Sequence, residues 1–214
     1  MSDTILTSFL HQQYQAARRL AEQSDRLSLV PIEQYRLYSL LQAPGRLLLD
    51  ELHKPNTELH RLATKSADPG PPDFYAVRFD CRSVLRNEQG EYAAAEAKCD
   101  LAIRFPNDYL RRKPDPGEIV CWLGPENIVH PNVRAPTGIC IGRMAAGTEL
   151  VDLLYQVYEI VTYMKWVPQD PLDEDAARWA RHHQHLFPVD RRPLKKPPPS
   201  FSRTGGAWDS KVQG

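Results

Sequence analysis

The stretch Ala95-Glu96-Ala97-Lys98-Cys99-Asp100-Leu101-Ala102-Ile103-Arg104-Phe105 decides how the chain folds. Ala95, Ala97, Cys99, Leu101, Ile103 and Phe105 alternate with Glu96, Lys98, Asp100 and Arg104. A period of two predicts a strand with one buried and one wet face. Tyr75, Val77, Phe79 and Cys81, alternating with Arg78, Asp80 and Arg82, predict a second strand. The intervening Asn87-Glu88-Gln89-Gly90 suits a hairpin turn. A third strand is expected over 119–123, after a turn at 114–117. Three such strands form an antiparallel meander, and its apolar face needs a cover.

Helices supply the cover. Leu150, Leu153, Leu154, Val157, Val161 and Met164 form a stripe at helical spacing, with Thr148 as the expected N-cap. Tyr155, Tyr158 and Ile160 widen the apolar surface, so this helix should be well buried. A shorter helix is predicted over 173–185. Upstream, Ile5, Phe9, Leu10, Tyr14, Ala17, Leu20 and Ala21 predict a helix over 3–24. Pro31 suits the first turn of another, over 31–42. A further helical pattern runs through 46–66, before the linker Asp68-Pro69-Gly70-Pro71-Pro72. The fold class is therefore α+β. Residues 1–70 read as an N-terminal helical region, 71–187 as the core, and 188–214 as a proline-rich basic tail, expected to be flexible.

The 214 residues contain 27 basic and 27 acidic side chains, 42% hydrophobic residues and 19 prolines. A balanced charge argues against broad nucleic-acid binding. No apolar run reaches the length of a membrane span. Residues 1–23 carry charges and no apolar signal segment, so a reducing cytoplasm and free thiols are expected. Cys81, Cys99 and Cys121 lie in predicted strands and read as core. His182, His183 and His185 sit on a charged helix with no complementary ligand cluster, so a solvated face is expected and no metal is called for.

Residues 124–147 are long for a plain connection, and such loops are usually functional or disordered. They hold one cysteine, one histidine and two asparagines, with proline and glycine stiffening the backbone. A fixed thiol beside amide donors is what acyl transfer needs: the thiolate attacks a carbonyl, and an Asn N–H can steady the oxyanion that develops.

His130-Pro131-Asn132, followed by Gly138-Ile139-Cys140 with the cysteine ten residues after the histidine, resembles the signature of ubiquitin-conjugating enzymes. Phe105-Pro106 is similar to the family's Tyr-Pro at a strand end, and Asp170-Pro171-Leu172 to its Asp-Pro-Leu beyond the long helix. The resemblance covers roughly 74–185. The chain departs from the family at Asn107–Pro114, where a proline-rich stretch is usual, and at Gly142–Gly147, where a tryptophan is usual. The last two family helices reduce to one here. It resembles a divergent member, of the kind found in bacterial ubiquitin-like conjugation systems, some of which act in antiphage defence.

The resemblance implies a ubiquitin-conjugating-like fold with extra N-terminal helices and a two-step chemistry. Cys140 takes a ubiquitin-like modifier as a thioester from an activating enzyme and passes it to a lysine of a protein substrate. Asn132 stabilises the oxyanion or braces the loop in support of that. His130 is mainly structural, and Asp170 either orients the lysine and favours its neutral form or is a plain turn or helix-start carboxylate. No cofactor is needed, and neither a membrane nor nucleic acid is an expected partner. Two rivals are a non-catalytic binding module on the same fold and a cysteine hydrolase pairing Cys140 with His130. Residues 46–66 are expected to cover the sheet edge. The helix over 3–24 has no evident place in the core, and is expected to engage the activating enzyme or to pack on 31–42.

Overall fold

The computed structural model describes residues 4–32, 46–55, 57–64, 70–136, 138–166 and 170–196. Four antiparallel strands, β1 (Leu27–Pro31), β2 (Phe74–Arg86), β3 (Tyr92–Arg104) and β4 (Val120–Gly124), form one sheet in the order β1-β2-β3-β4. The long hairpin of β2 and β3 is its centre, paired from Phe74–Arg104 to Arg86–Tyr92. A single helical turn, α4 (Pro116–Ile119), precedes β4; Asp115 caps it by accepting from the Gly117 N–H. The α+β reading therefore holds.

One sheet face carries Tyr75, Val77, Phe79 and Cys81 from β2 and Cys99, Leu101 and Ile103 from β3. Two helices close it, α1 (Thr4–Glu22) and α5 (Leu150–Val161). Leu6, Leu10, Ala17 and Leu20 of α1 join Leu153, Leu154, Val157 and Val161 of α5 in one apolar cluster with the sheet. The expectation that residues 3–24 stand outside the core is thus overturned. The reason is visible at Gln13, whose buried Oε1 accepts the Leu150 N–H at 2.9 Å. The orphan donor at the head of α5 is therefore satisfied by a side chain of α1 and not by Thr148. Thr148 instead bonds its hydroxyl to the Ala145 backbone. Met164, placed in the stripe by spacing, is exposed beyond the end of the helix.

The opposite face is wet only in part: Asp80, Arg82, Glu96 and Lys98 on it are exposed, while its other end is covered. Val30, Ile32, Phe74, Ala76 and Ala102 cluster with Leu49 and Leu52 of α2 (Arg46–Leu52), and α3 (Glu58–Thr64) follows. At this layer Arg78 and Asp100, directly opposed across β2 and β3, are buried at 4% and 1% exposure. The guanidinium gives Nε to Asp100 Oδ1 at 2.7 Å and Nη2 to Oδ2 at 3.0 Å, while Nη1 reaches Asp50 at 2.6 Å. The forked geometry offsets the desolvation that isolated charges would suffer there. Residues 46–55 thus cover a sheet face, where the sequence suggested the edge. Pro31, read as a helix start, ends β1, and the rest of the 31–42 helix lies outside the described residues.

The final described segment also departs from expectation. After α6 (Glu174–His182) and a 3₁₀ turn (Gln184–Leu186), residues 189–196 pack back on the core. Leu194 is 2% exposed, and Asp190 accepts the Arg82 N–H at 2.8 Å. Tyr158 and Ser24 donate their hydroxyls to the Arg192 and Leu194 carbonyls. This strap ties β2, α5 and the end of α1 together. Among the described residues no helix is long and apolar enough to cross a membrane.

Candidate active site

Beyond β4 the chain is sewn along the end of β2. Arg86 N–H donates to the Asn127 carbonyl and Asn127 Nδ2 to the Arg86 carbonyl, both at 2.8 Å. Val129 N–H donates to the Val84 carbonyl at 2.9 Å. His130-Pro131-Asn132 follows, and a short hairpin of β5 (Val133–Arg134) and β6 (Gly138–Ile139) leads to Cys140.

The hairpin closes on itself around the motif. Cys140 N–H donates to the Asn132 carbonyl at 2.7 Å. Asn132 Nδ2 donates back to the Cys140 carbonyl at 3.2 Å. Asn132 and Cys140 therefore hold each other, which fixes the backbone that carries the thiol. From α5, Gln156 Nε2 donates to the Ile141 carbonyl and pins the residue after the cysteine. Gly142 follows at φ +81°, a conformation that a residue with a Cβ adopts only under strain. The Cys140 side chain lies half-buried at this turn.

His130 is fully buried, and its Nδ1 accepts the Asn132 N–H at 3.0 Å. That bond needs Nδ1 unprotonated, so the ring proton sits on Nε2. Burial drives its pKa down to about 3, with the Ile160 carbonyl working weakly against the shift. Its Nε2 is buried without a well-formed hydrogen bond. His130 thus holds the turn through the bond its Nδ1 accepts from the Asn132 N–H.

Tyr163 completes the support. Its ring lies 4.3 Å from His130 and 4.3 Å from Phe187, and its hydroxyl donates to the Val129 carbonyl at 2.6 Å. It is the sole non-glycine with positive φ among the described residues, at 59°. Such a backbone costs of order 1–3 kcal/mol and persists where surrounding contacts fix it.

Asp170 is exposed. The arm it begins returns to the motif, where Leu172 N–H donates to the Pro131 carbonyl at 2.7 Å and Asp173 N–H does so at 3.3 Å. Asp173 then caps α6 through the Ala176 N–H. The structure thus brings Cys140, Asn132 and His130 into one bonded unit and leaves Asp170 on a neighbouring arm. A cleft of about 650 Å³ opens between this arm and the 126–128 loop, with Arg86, Glu126, Arg134, Leu172 and Glu174 among its walls. Gln156, Arg134 and Tyr163 were not singled out from the sequence. Gln156 carried no separate signal, because its helix also bears Asp152 and Glu159.

The other thiols sit in the sheet. Cys81 and Cys99 are fully buried with sulfurs 3.9 Å apart, and burial pushes the Cys121 thiol pKa up. Among the described residues no group of three or more His, Cys, Asp or Glu side chains could hold a metal. In the 182–185 cluster, His183 stacks on Trp179 at 4.4 Å and bonds its carbonyl. No protein-family model matches the chain, and no curated protein matches its sequence.

Proposed function

We propose that this chain is a ubiquitin-conjugating-like acyl carrier. Cys140 accepts the C-terminus of a ubiquitin-like modifier from an activating enzyme as a thioester and passes it to a lysine of a protein substrate. The reading is supported above all by the reciprocal pair of hydrogen bonds between Asn132 and Cys140, which holds a half-buried thiol beside a side-chain amide. In the first step the Cys140 thiolate bonds to the thioester carbon, and the donor's thiolate leaves with the electron pair. Such an exchange is nearly isoenergetic. In the second step an amine nitrogen bonds to the carbon, the C–S bond breaks, and the amine gives up a proton. Asn132 is the side-chain amide adjoining the reacting residue, and an amide N–H is the donor type that steadies a developing oxyanion.

The reading can be tested without a cognate activating enzyme. The full chain is mixed with a fluorescein-labelled peptide carrying a C-terminal glycine mercaptoethanesulfonate thioester. The expected product is a fluorescent band on non-reducing gels that is lost with dithiothreitol and absent for Cys140→Ala. An adduct that survives the substitution, or no adduct at all, would refute the assignment.

A further inference from the structure

The central hairpin closes one of its long edges and leaves part of the other open. On β2 the even-numbered residues turn their backbone groups away from β3. The Asp80 N–H donates to the Arg26 carbonyl at 2.9 Å, the Arg82 N–H to Asp190 at 2.8 Å and the Arg86 N–H to the Asn127 carbonyl at 2.8 Å, while the Val84 carbonyl accepts from Val129 at 2.9 Å. The odd residues of β2 therefore bond to β3, and their partners in register, Ala93, Ala95, Ala97 and Cys99, are odd as well. The even residues of β3 thus point their N–H and C=O groups to the far edge. There β4 takes up only Asp100 to Ile103. Among the described residues no backbone group pairs with 92–98 on that side. The Ala94 carbonyl accepts a long bond of 3.3 Å from the exposed Arg82 side chain, which water or another donor can replace.

We infer that 92–98 is a dimer edge, where β3 pairs antiparallel with β3 of a second copy across a two-fold axis at Ala95. An open strand edge is a template for another strand. This one has the usual guards removed. It contains no proline, and its register with β2 runs without a bulge. Its two charges are tethered within their own chain, Lys98 to Asp50 at 3.0 Å and Glu96 to Arg192 at 3.1 Å. An incoming strand meets mostly alanine.

The order Tyr92-Ala93-Ala94-Ala95-Glu96-Ala97-Lys98 selects the same strand as the occupant. With Ala95 facing the partner's Ala95, Ala93 meets the partner's Ala97, Ala94 meets the partner's Glu96 and Tyr92 meets the partner's Lys98. No like charges are directly opposed, and one face of the seam is alanine throughout. The even residues of both copies then exchange about eight backbone hydrogen bonds. Neighbouring alignments are worse. A slip of two residues one way sets Glu96 against the partner's Glu96. A slip the other way sets Lys98 against Gly90 in the hairpin turn and shortens the ladder. The alignment that matches Glu96 with Lys98 requires Ala94 to pair with Asp100, which Gly124 already occupies. A two-fold contact uses the same patch on both copies, so association stops at two chains and joins two four-stranded sheets into one.

Sedimentation velocity of the full chain over a range of concentrations tests the inference. Wild type is expected to move from 24.4 kDa toward twice that mass as concentration rises. Ala94→Pro deletes an N–H that faces the open edge and no bond within the sheet, so it should stay at the single-chain mass with its circular dichroism unchanged. Ala95→Lys and Ala95→Glu probe the alignment without altering the backbone. Each alone sets like charges face to face on the axis and should weaken dimerisation about fivefold or more. Mixed in equal amounts, the two should recover the dimer, because residue 95 meets itself only in this alignment. A wild-type chain that stays single up to its solubility limit, a dimer that survives Ala94→Pro, assemblies larger than two, or a mixture no tighter than its components would each overturn the inference. If Ala94→Pro does not fold, the Ala95 pair decides alone.

Discussion

Replacing Asn132 with alanine should have two effects of different size. The first concerns stability. The side chain is 3% exposed, and its bond to the Cys140 carbonyl is long at 3.2 Å, so its loss belongs near the middle of the usual range, about 1 kcal/mol. For a chain of this size that lowers the melting temperature by about 2–4 °C. The second concerns chemistry. If Asn132 also meets the oxyanion, removing that donor costs about 3 kcal/mol, or about a hundredfold in rate. The loss should fall mainly on discharge to an amine, where charge builds on the acyl oxygen while a poor leaving group competes with a good one. Thiol exchange, with similar leaving groups on both sides, should suffer less. Single-turnover loading and lysine discharge, followed on non-reducing gels beside a thermal melt, measure all three quantities. Equal slowing of loading and discharge would refute the oxyanion role and leave Asn132 as a brace of the hairpin.

Two other outcomes follow from burial and charge. Ending the chain after Pro188 removes the Leu194 side chain from the core, worth about 1.5–3 kcal/mol, so a calorimetric melt should move down by several degrees; an unchanged melt would mean the strap adds nothing. Acid should destabilise the protein through its buried imidazoles, because His130 and His53 are held down near 3 from the ordinary 6.5, in both cases chiefly by burial. Below pH 6.5 the unfolded chain takes up these protons and the folded chain does not. Their stabilising effect is therefore whole above that pH and declines toward pH 3, by at most about 1.4 kcal/mol per pH unit for each ring. Urea melts between pH 7 and pH 4 should show a shallower slope for His130→Asn, and an identical slope would contradict the burial argument.

What the sequence made legible was what local period and local motif encode. The β2–β3 hairpin and α5 follow from alternation and helical spacing, because each buries a continuous apolar stripe. The unit of His130, Asn132 and Cys140 is compact in sequence, so its spacing survives as contact. Features that depend on distant partners were hidden. β1 has five residues and ends in Pro31, which read equally well as a helix start. Nothing in the sequence marked Gln13, because its partner, the Leu150 N–H, lies 137 residues away. Arg78 and Asp100 read as a wet face, since alternation cannot distinguish a solvated charge from a paired buried one. Asp190 and Leu194 lay in a polar, proline-rich run whose composition resembled a loose tail. The bond from Arg134 to the Leu172 carbonyl joins segments 38 residues apart, and no spacing rule links them.

The cross-strand charges of the central hairpin also bear on mispairing. A slip by one residue would turn every side chain to the wrong face, and the apolar pattern rejects it. A slip by two keeps the faces and is the error that alternation cannot detect, most of all beside the small side chains of Ala93, Ala94, Ala95 and Ala97. In the native register Arg78 faces Asp100, Asp80 faces Lys98 and Arg82 faces Glu96. Sliding β3 two residues one way sets Arg78 against Lys98 and Asp80 against Glu96. Sliding it the other way sets Asp80 against Asp100 and Arg82 against Lys98. Each alternative brings like charges face to face where the native pairing has none, one of them at the buried Asp100. The alternating signs on this face thus act as a code that only one alignment of the two longest strands satisfies.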